Sequence, residues 1–193
     1  MPPAKNEVYL TFDDGPVYGP TEFVLEELSK TSAKATFFCI GDNVRKYPDV
    51  FKRIVSEGHA VGNHTFNHVS GWSTRTETYL DNIRKFETES ANALGSENRN
   101  GALLFRPPYG RIKFSQIKAL REYKIIMWDV LSLDYDKTVS AENCLRNTLR
   151  AVRPGSIIVF HDSFKAERNM TFALPRLISA LKEKGMELKS LTL

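Results

Sequence analysis

The sequence predicts an α/β fold built on a mostly parallel sheet, and three observations carry that prediction. Strand-like and helix-like stretches alternate along the whole chain, with about seven strands and six helices. Some strands, such as Ala35–Ile40, are almost uniformly apolar, as expected of parallel strands buried on both faces. The residues capable of chemistry cluster just beyond the C-terminal ends of strands, the face that carries the active site in α/β folds. A nearly closed barrel and an open doubly wound sheet both fit the alternation. At 193 residues, with no internal boundary, repeat or low-complexity tract, the chain reads as one domain over residues 1–193.

The first strand is Val8–Phe12, with Tyr9 and Thr11 on one face and Val8, Leu10 and Phe12 on the other. It runs into Asp13-Asp14-Gly15-Pro16, and alternation along a strand aims the two carboxylates in different directions. Pro20–Lys30 reads as a helix and Ala35–Ile40 as the second strand. Val44–Glu57 carries a helical apolar stripe at 44, 47, 51, 54 and 55, ended by Gly58. His59–Asn63 is the third strand. Thr74–Leu94 is a helix in which Thr74 and Glu77 suggest a capping box and Tyr79, Ile83, Phe86 and Ser90 share a face. A polar loop over Glu97–Gly101 leads to a strand at Ala102–Phe105. Then follow a helix at Phe114–Tyr123, a strand at Ile125–Val130, a helix at Ser140–Val152 and a strand at Ser156–Phe160. Phe172–Lys184 is the last helix, stopped by Gly185, and Glu187–Leu193 the last strand.

Composition removes several function classes. Lys plus Arg exceed Asp plus Glu by only 27 to 23, and the basic residues are scattered, which argues against a nucleic-acid partner. No apolar stretch approaches the length of a membrane span. The two cysteines, Cys39 in an apolar run and Cys144 in a helical pattern, read as packed free thiols. Met1-Pro2-Pro3-Ala4-Lys5 lacks the make-up of a signal peptide, and a leader or anchor upstream of the first strand is compatible with this start, so compartment stays open.

Asp13 and Asp14 follow the first strand, His64 and His68 the third, and Arg106 and Tyr109 the fourth. Asp129 and Asp134 lie at or beyond the end of the fifth, and His161 and Asp162 follow the sixth. Two imidazoles four residues apart lie on one face if the segment is a helical turn, close enough to share one metal ion. Asp13 or Asp14 would add a third ligand and leave a position for water. Thr65 stands where a zinc protease helix has its glutamate, so the general base lies elsewhere, and the aspartate not used by the metal is the candidate. Arg106, fixed in Arg106-Pro107-Pro108-Tyr109-Gly110, can hold a carboxylate ionised and oriented. A backbone N–H in that turn can serve an oxyanion. His161 can donate a proton to a leaving group.

Thr11-Phe12-Asp13-Asp14-Gly15-Pro16, His64-x-x-x-His68, Arg106-Pro107-Pro108-Tyr109-Gly110 and His161-Asp162 resemble four of the five motifs of carbohydrate esterase family 4, the NodB-homology polysaccharide deacetylases. They occur in the family's order and span residues 11–162. The resemblance implies a distorted (β/α) barrel of seven or eight strands and a metal-dependent N-deacetylation of an N-acetylglucosamine-containing glycan, peptidoglycan first and chitin-type oligosaccharide second. It alone selects Asp14, with His64 and His68, for the metal, most often zinc with cobalt or another divalent ion as substitutes. Asp13 becomes the base, kept ionised by Arg106. Tyr109 supplies the oxyanion N–H, and His161 the acid. A place at the cell envelope or outside the cell is likewise implied by the family.

The fifth motif departs from the family pattern of Asp-x-x-Asp-Trp. Leu131 occupies the place of its first aspartate and Tyr135 that of its tryptophan. The missing aspartate normally tunes the acid histidine, so its loss should lower the pKa of His161 unless Asp129, two residues earlier on the same strand face, substitutes. Asp134 and Asp162 are further supporting carboxylates. Tyr135, Trp72 and Val159 are the candidate lining of the substrate pocket. The altered motif also motivates a second reading, a catalytically impaired glycan-binding member of the family. Two histidines and a carboxylate suit iron(II) in an oxygenase too, but that chemistry has no use for a positioned base and an acid histidine.

Overall fold

A computed structural model of the chain describes residues 6–95 and 103–191. The polar loop expected at 97–101, residue 102 of the strand before Arg106, and residues 192–193 of the last strand lie outside the described residues. Among the described residues eight strands share one sheet in which every pairing is parallel. They are β1 (Glu7–Asp13), β2 (Thr36–Cys39), β3 (Ala60–Asn63), β4 (Leu103–Phe105), β5 (Tyr123–Ile125), β6 (Val130–Leu131), β7 (Ile157–His161) and β8 (Glu187–Lys189). The spatial order is β5-β4-β3-β2-β1-β7-β6, and β8 joins β1. Central β1 changes partner along its length. Glu7–Tyr9 pair with Glu187–Lys189, and Thr11–Asp13 pair with Thr36–Phe38. The sheet curls into an open barrel whose end strands are β5 and β6. Among the described residues seven α-helices accompany it: α1 (Pro20–Ser29), α2 (Gly41–Lys46), α3 (Pro48–Ser56), α4 (Thr76–Leu94), α5 (Phe114–Ala119), α6 (Ala141–Ala151) and α7 (Glu167–Glu183).

The two faces of β1 have different fates, as the alternation of its side chains requires. Val8, Leu10 and Phe12 are fully buried in one cluster with Val24, Leu25 and Leu28 of α1 and Ala173, Leu174 and Leu177 of α7. Phe12 stacks on Phe37 of β2, ring centroids 5.1 Å apart. Each such side chain contributes roughly 1.5–3 kcal/mol by leaving water. Thr11 and Asp13 on the opposite face are also buried, and both accept hydrogen bonds from Arg106. The interior of the barrel near its C-terminal end is therefore polar and paired.

Several boundaries differ from the sequence expectations, each for a local reason. The single strand expected at Ile125–Val130 is two short ones. Its ends serve opposite edges of the sheet: Ile126 donates to Phe105 O of β4, and Asp129 donates to Ile157 O of β7. Between those ends the fully buried Arg106 takes over, with Nε on Ile126 O and Nη2 on Met127 O, both at 3.2 Å. The helix expected at Val44–Glu57 is broken at Tyr47 (φ −128°, ψ 55°), because the ring of Pro48 disfavours helical backbone at the residue before it. The Thr74–Glu77 capping box does not form. The Thr74 hydroxyl donates to Ser70 O at 2.7 Å, and the helix starts at Thr76. The helix after Phe114 stops at Ala119, since Tyr123 is already paired with Leu103 in the sheet. The last long helix begins at Glu167 rather than Phe172. Its buried face, from Met170 to Leu181, carries the helix through Pro175.

Candidate active site

The turn that ends β1 separates the two adjacent aspartates. Asp13 is the last strand residue, in register with Phe38 on one side and His161 on the other. Its Oδ1 accepts from Arg106 Nη1 at 2.7 Å, and both side chains are almost wholly inaccessible. Asp14 has left the strand and adopts left-handed backbone (φ 82°). This turn, rather than strand alternation, swings its carboxylate away from Arg106 and toward the histidines. Asp14 Oδ1 lies 3.2 Å from His68 Nε2 and 3.7 Å from His64 Nε2.

The two histidines converge without the helical turn that their spacing suggests. The segment from His64 to His68 is irregular, and left-handed conformations at Thr65 (φ 63°) and His68 (φ 55°) fold it back on itself. Asn63 Oδ1 accepts from Thr65 N–H at 2.8 Å, and Asn82 Oδ1 accepts from Phe66 and Asn67 N–H. The two imidazole centroids end 5.0 Å apart. His64 Nδ1 is 2.8 Å from Arg106 O, and since a carbonyl only accepts, Nδ1 carries a proton there and Nε2 is the nitrogen turned toward Asp14. Burial, then the neighbouring His64, push the pKa of His68 down to about 4, so its imidazole is neutral at pH 7.

This donor set fits a divalent ion. Asp14, His64 and His68 each place one ligand atom within 4.8 Å of the others. Asp14 Oδ1 is buried and has no hydrogen-bond partner. A buried carboxylate oxygen left without a partner is costly unless a cation takes that place. One carboxylate oxygen and two imidazole nitrogens are a donor set that divalent transition metals accept.

On the neighbouring strand β7, in register with Asp13, stands His161. Asp134 Oδ1 is 2.8 Å from its Nδ1, and Asp134 Oδ2 accepts its backbone N–H at 2.7 Å. Burial disfavours the imidazolium, but the charge and hydrogen bond of Asp134, with weaker help from Asp13 and Asp14, raise the His161 pKa to about 9. The substitution at Leu131 therefore leaves the histidine with a carboxylate partner. That partner is not Asp129, contrary to expectation. Asp129 accepts from the Ser156 hydroxyl and the Ile157 N–H, at the opposite end of β7 from His161. The ring of Tyr135 stands edge-on to His161 with centroids 4.8 Å apart, an aromatic wall beside the imidazole. Val159, in register with Thr11, is buried below His161 in the strand.

Asp162 does not touch the His161 ring. Its Oδ1 accepts from Gly15 N–H at 3.0 Å and its Oδ2 from the Thr21 hydroxyl at 2.7 Å. Burial pushes its pKa up to about 8, against those two hydrogen bonds. Tyr109 sits in a short turn, Pro108–Gly110, with left-handed backbone (φ 60°, ψ 10°). Its ring lies 4.6 Å from that of His68 and is exposed. Trp72 is exposed rather than core, with the Arg111 guanidinium 5.2 Å from its ring. Among the described residues, five of the seven non-glycine residues with positive φ, Asp14, Thr65, His68, Tyr109 and Leu133, belong to these loops. Each costs about 1–3 kcal/mol, and such strain collects where side chains must be aimed. Three contributors escaped sequence reasoning. The place of Thr11 two residues before Asp13 was the available signal for its contact with Arg106. Asn43 and Thr21, in helices that pack over the Asp14 turn, gave none.

The sequence model of the family described as polysaccharide deacetylase matches residues 1–128. A peptidoglycan-N-acetylglucosamine deacetylase of Bacillus cereus is 39% identical over 184 residues, which are 94% of this chain and 65% of that protein. The chain thus spans less than two thirds of that relative's length. The crystal structure of the Bc1960 peptidoglycan N-acetylglucosamine deacetylase, in complex with an N-oxidanyl-benzamide, superposes with a TM-score of 0.90 at 35% identity, covering 98% of this chain and 88% of that one. A carbohydrate esterase family 4 pseudoenzyme from Bacillus anthracis superposes with a TM-score of 0.84 at 28% identity, covering 98% of this chain and 65% of its own.

Proposed function

The chain belongs to the polysaccharide deacetylase family, and on that premise we propose that it hydrolyses the N-acetyl groups of an N-acetylglucosamine-containing glycan, with peptidoglycan as the first substrate. The observation that carries the proposal is the placement of two constellations side by side at the C-terminal ends of neighbouring strands. Asp14, His64 and His68 converge on one side, and the His161–Asp134 pair faces the Asp13–Arg106 pair.

Asp14, His64 and His68 would hold the divalent ion, zinc in the first instance. When bound there, such an ion polarises the acyl carbonyl and lowers the pKa of water. Asp13 takes the proton of the attacking water at its free Oδ2, while Oδ1 stays on Arg106. Arg106 has two further duties, since its other nitrogens hold the carbonyls of Ile126 and Met127 and keep the open side of the barrel together. The backbone N–H of Tyr109 donates to the developing oxyanion. His161, protonated through Asp134, delivers its proton from Nε2 to the departing sugar amine, leaving acetate and the free amine. Tyr135 bounds the space for the acetyl methyl. Asp134 in its place on His161 supports turnover over the impaired, binding-only reading.

Acetate release from peptidoglycan and from chitin oligomers, by stripped protein and by protein reloaded with zinc or cobalt, tests this reading. Zinc-dependent acetate from peptidoglycan is expected. Acetate from neither glycan with either metal contradicts the activity.

A further inference from the structure

The backbone of Asp14 is held in an unfavourable conformation from two directions, by groups with no place in the chemistry above. An L-residue at φ 82° is strained and persists only where its surroundings over-determine it. On one side Asn43 of α2 donates from Nδ2 to Asp14 O at 2.8 Å. On the other, Asp162 is fully buried and binds the next residue, its Oδ1 taking the Gly15 N–H at 3.0 Å. The second oxygen of Asp162 takes the Thr21 hydroxyl at 2.7 Å, and Thr21 Oγ1 in turn accepts from Val17 N–H at 2.8 Å. The Ile40 N–H closes the frame on Gly15 O at 2.9 Å. The turn is so tight that a Cβ on Gly15 would lie 1.9 Å from Asp162 Oδ2. Inside this frame the Asp14 carboxylate presents one buried oxygen without a partner.

We propose that Asn43 and Asp162 are positioning residues for a bound divalent ion, clamping the peptide on either side of Asp14 so that its carboxylate is aimed before the ion arrives. The proposal rests on the reading of Asp14 as a metal ligand. A buried carboxylate beside a catalytic histidine looks like part of a proton relay, but both oxygens of Asp162 are committed to the Asp14 turn and to α1. Asn43 lies on another helix, 29 residues along the chain from Asp14, and does the same for the carbonyl. Ligand-orienting groups of this kind typically govern metal affinity by about 10- to 100-fold.

The test is a zinc titration of metal-stripped protein against a chromophoric chelator, run on the parent, Asp14→Ala, Asn43→Ala and Asp162→Asn. Asn43 is partly buried and is not among the buried core side chains, while Asn at 162 keeps the shape and one acceptor. The expected result is loss of tight zinc binding in Asp14→Ala and an affinity about tenfold weaker in each of the other two. A second readout separates aim from mere stability: the rise in Tm on adding zinc should shrink in Asn43→Ala, where a purely structural loss would lower stripped and loaded proteins equally. If Asp14→Ala loses zinc but Asn43→Ala and Asp162→Asn bind it as the parent does, the clamp is overturned and the ligand assignment stands. If Asp14→Ala binds zinc like the parent, the ligand assignment falls and the clamp with it.

Discussion

Asp134 grips His161 twice, through Nδ1 at 2.8 Å and through the backbone N–H at 2.7 Å. The first contact, acting against burial, is the main reason that the imidazole pKa is raised to about 9. Asp134→Asn removes the charge and keeps the shape, so the His161 pKa falls. A proton donor is useful only while protonated, and the alkaline limb of kcat/KM should therefore move to lower pH. The same shift has a stability consequence in metal-stripped protein. A histidine raised from 6.5 to about 9 in the folded state stabilises the fold fully below 6.5 and loses that contribution as pH rises toward 9. The decline of Tm across that window should flatten in Asp134→Asn.

Asp129→Asn should behave differently. Its carboxylate ties Ser156 and Ile157 at the start of β7 and faces away from His161. The pH profile should not move, and the cost should be about 1 kcal/mol of stability from the weakened hydrogen bonds, read by urea denaturation.

These two aspartates mark where sequence reading stops. That Asp134 lies beyond the C-terminal end of a strand with the other motifs is legible, because apolar runs and helical stripes announce the alternation; Asp129 instead precedes β6 at the other end of the sheet, because the strand expected at Ile125–Val130 is split in two. Which of them reaches the histidine depends on the backbone at Leu133, which is left-handed (φ 59°). A leucine carries no signal of that, whereas a glycine would have. His64 and His68 repeat the lesson. Their spacing foretells convergence, but the cause is a folded-back loop held by Asn63 and Asn82, not a helical turn. Arg106 was legible as the partner of an aspartate. Its work across the opening of the barrel was not, since two carbonyls of the crossing segment leave no mark in side-chain pattern.

Arg106→Met should be severely destabilising. It strands the buried Asp13 carboxylate and the Ile126 and Met127 carbonyls together, and breaking a buried pair from one side costs about 3–5 kcal/mol. Lysine should not rescue it, because one ammonium cannot reproduce the planar fork that serves Thr11, Asp13 and both carbonyls. Denaturation midpoints of the parent and the two variants check this.

Gly15→Ala should lose more than about 2 kcal/mol, because its methyl has no room against Asp162 Oδ2. The loss is specific to that contact. In an Asp162→Ala background the added penalty of Gly15→Ala should be smaller, and a double-mutant cycle from denaturation curves measures the coupling.

The central claim is that two adjacent carboxylates, parted by the left-handed turn at Asp14, divide the labour of one reaction. Asp13→Asn keeps the shape and removes the base, so it tests that division most directly. The measurement is acetate release from peptidoglycan by the zinc-loaded variant, with its zinc content assayed in the same sample. The account predicts full zinc occupancy with turnover reduced by about 10²–10⁴-fold. Turnover near that of the parent at full occupancy, or loss of the zinc itself, would contradict it.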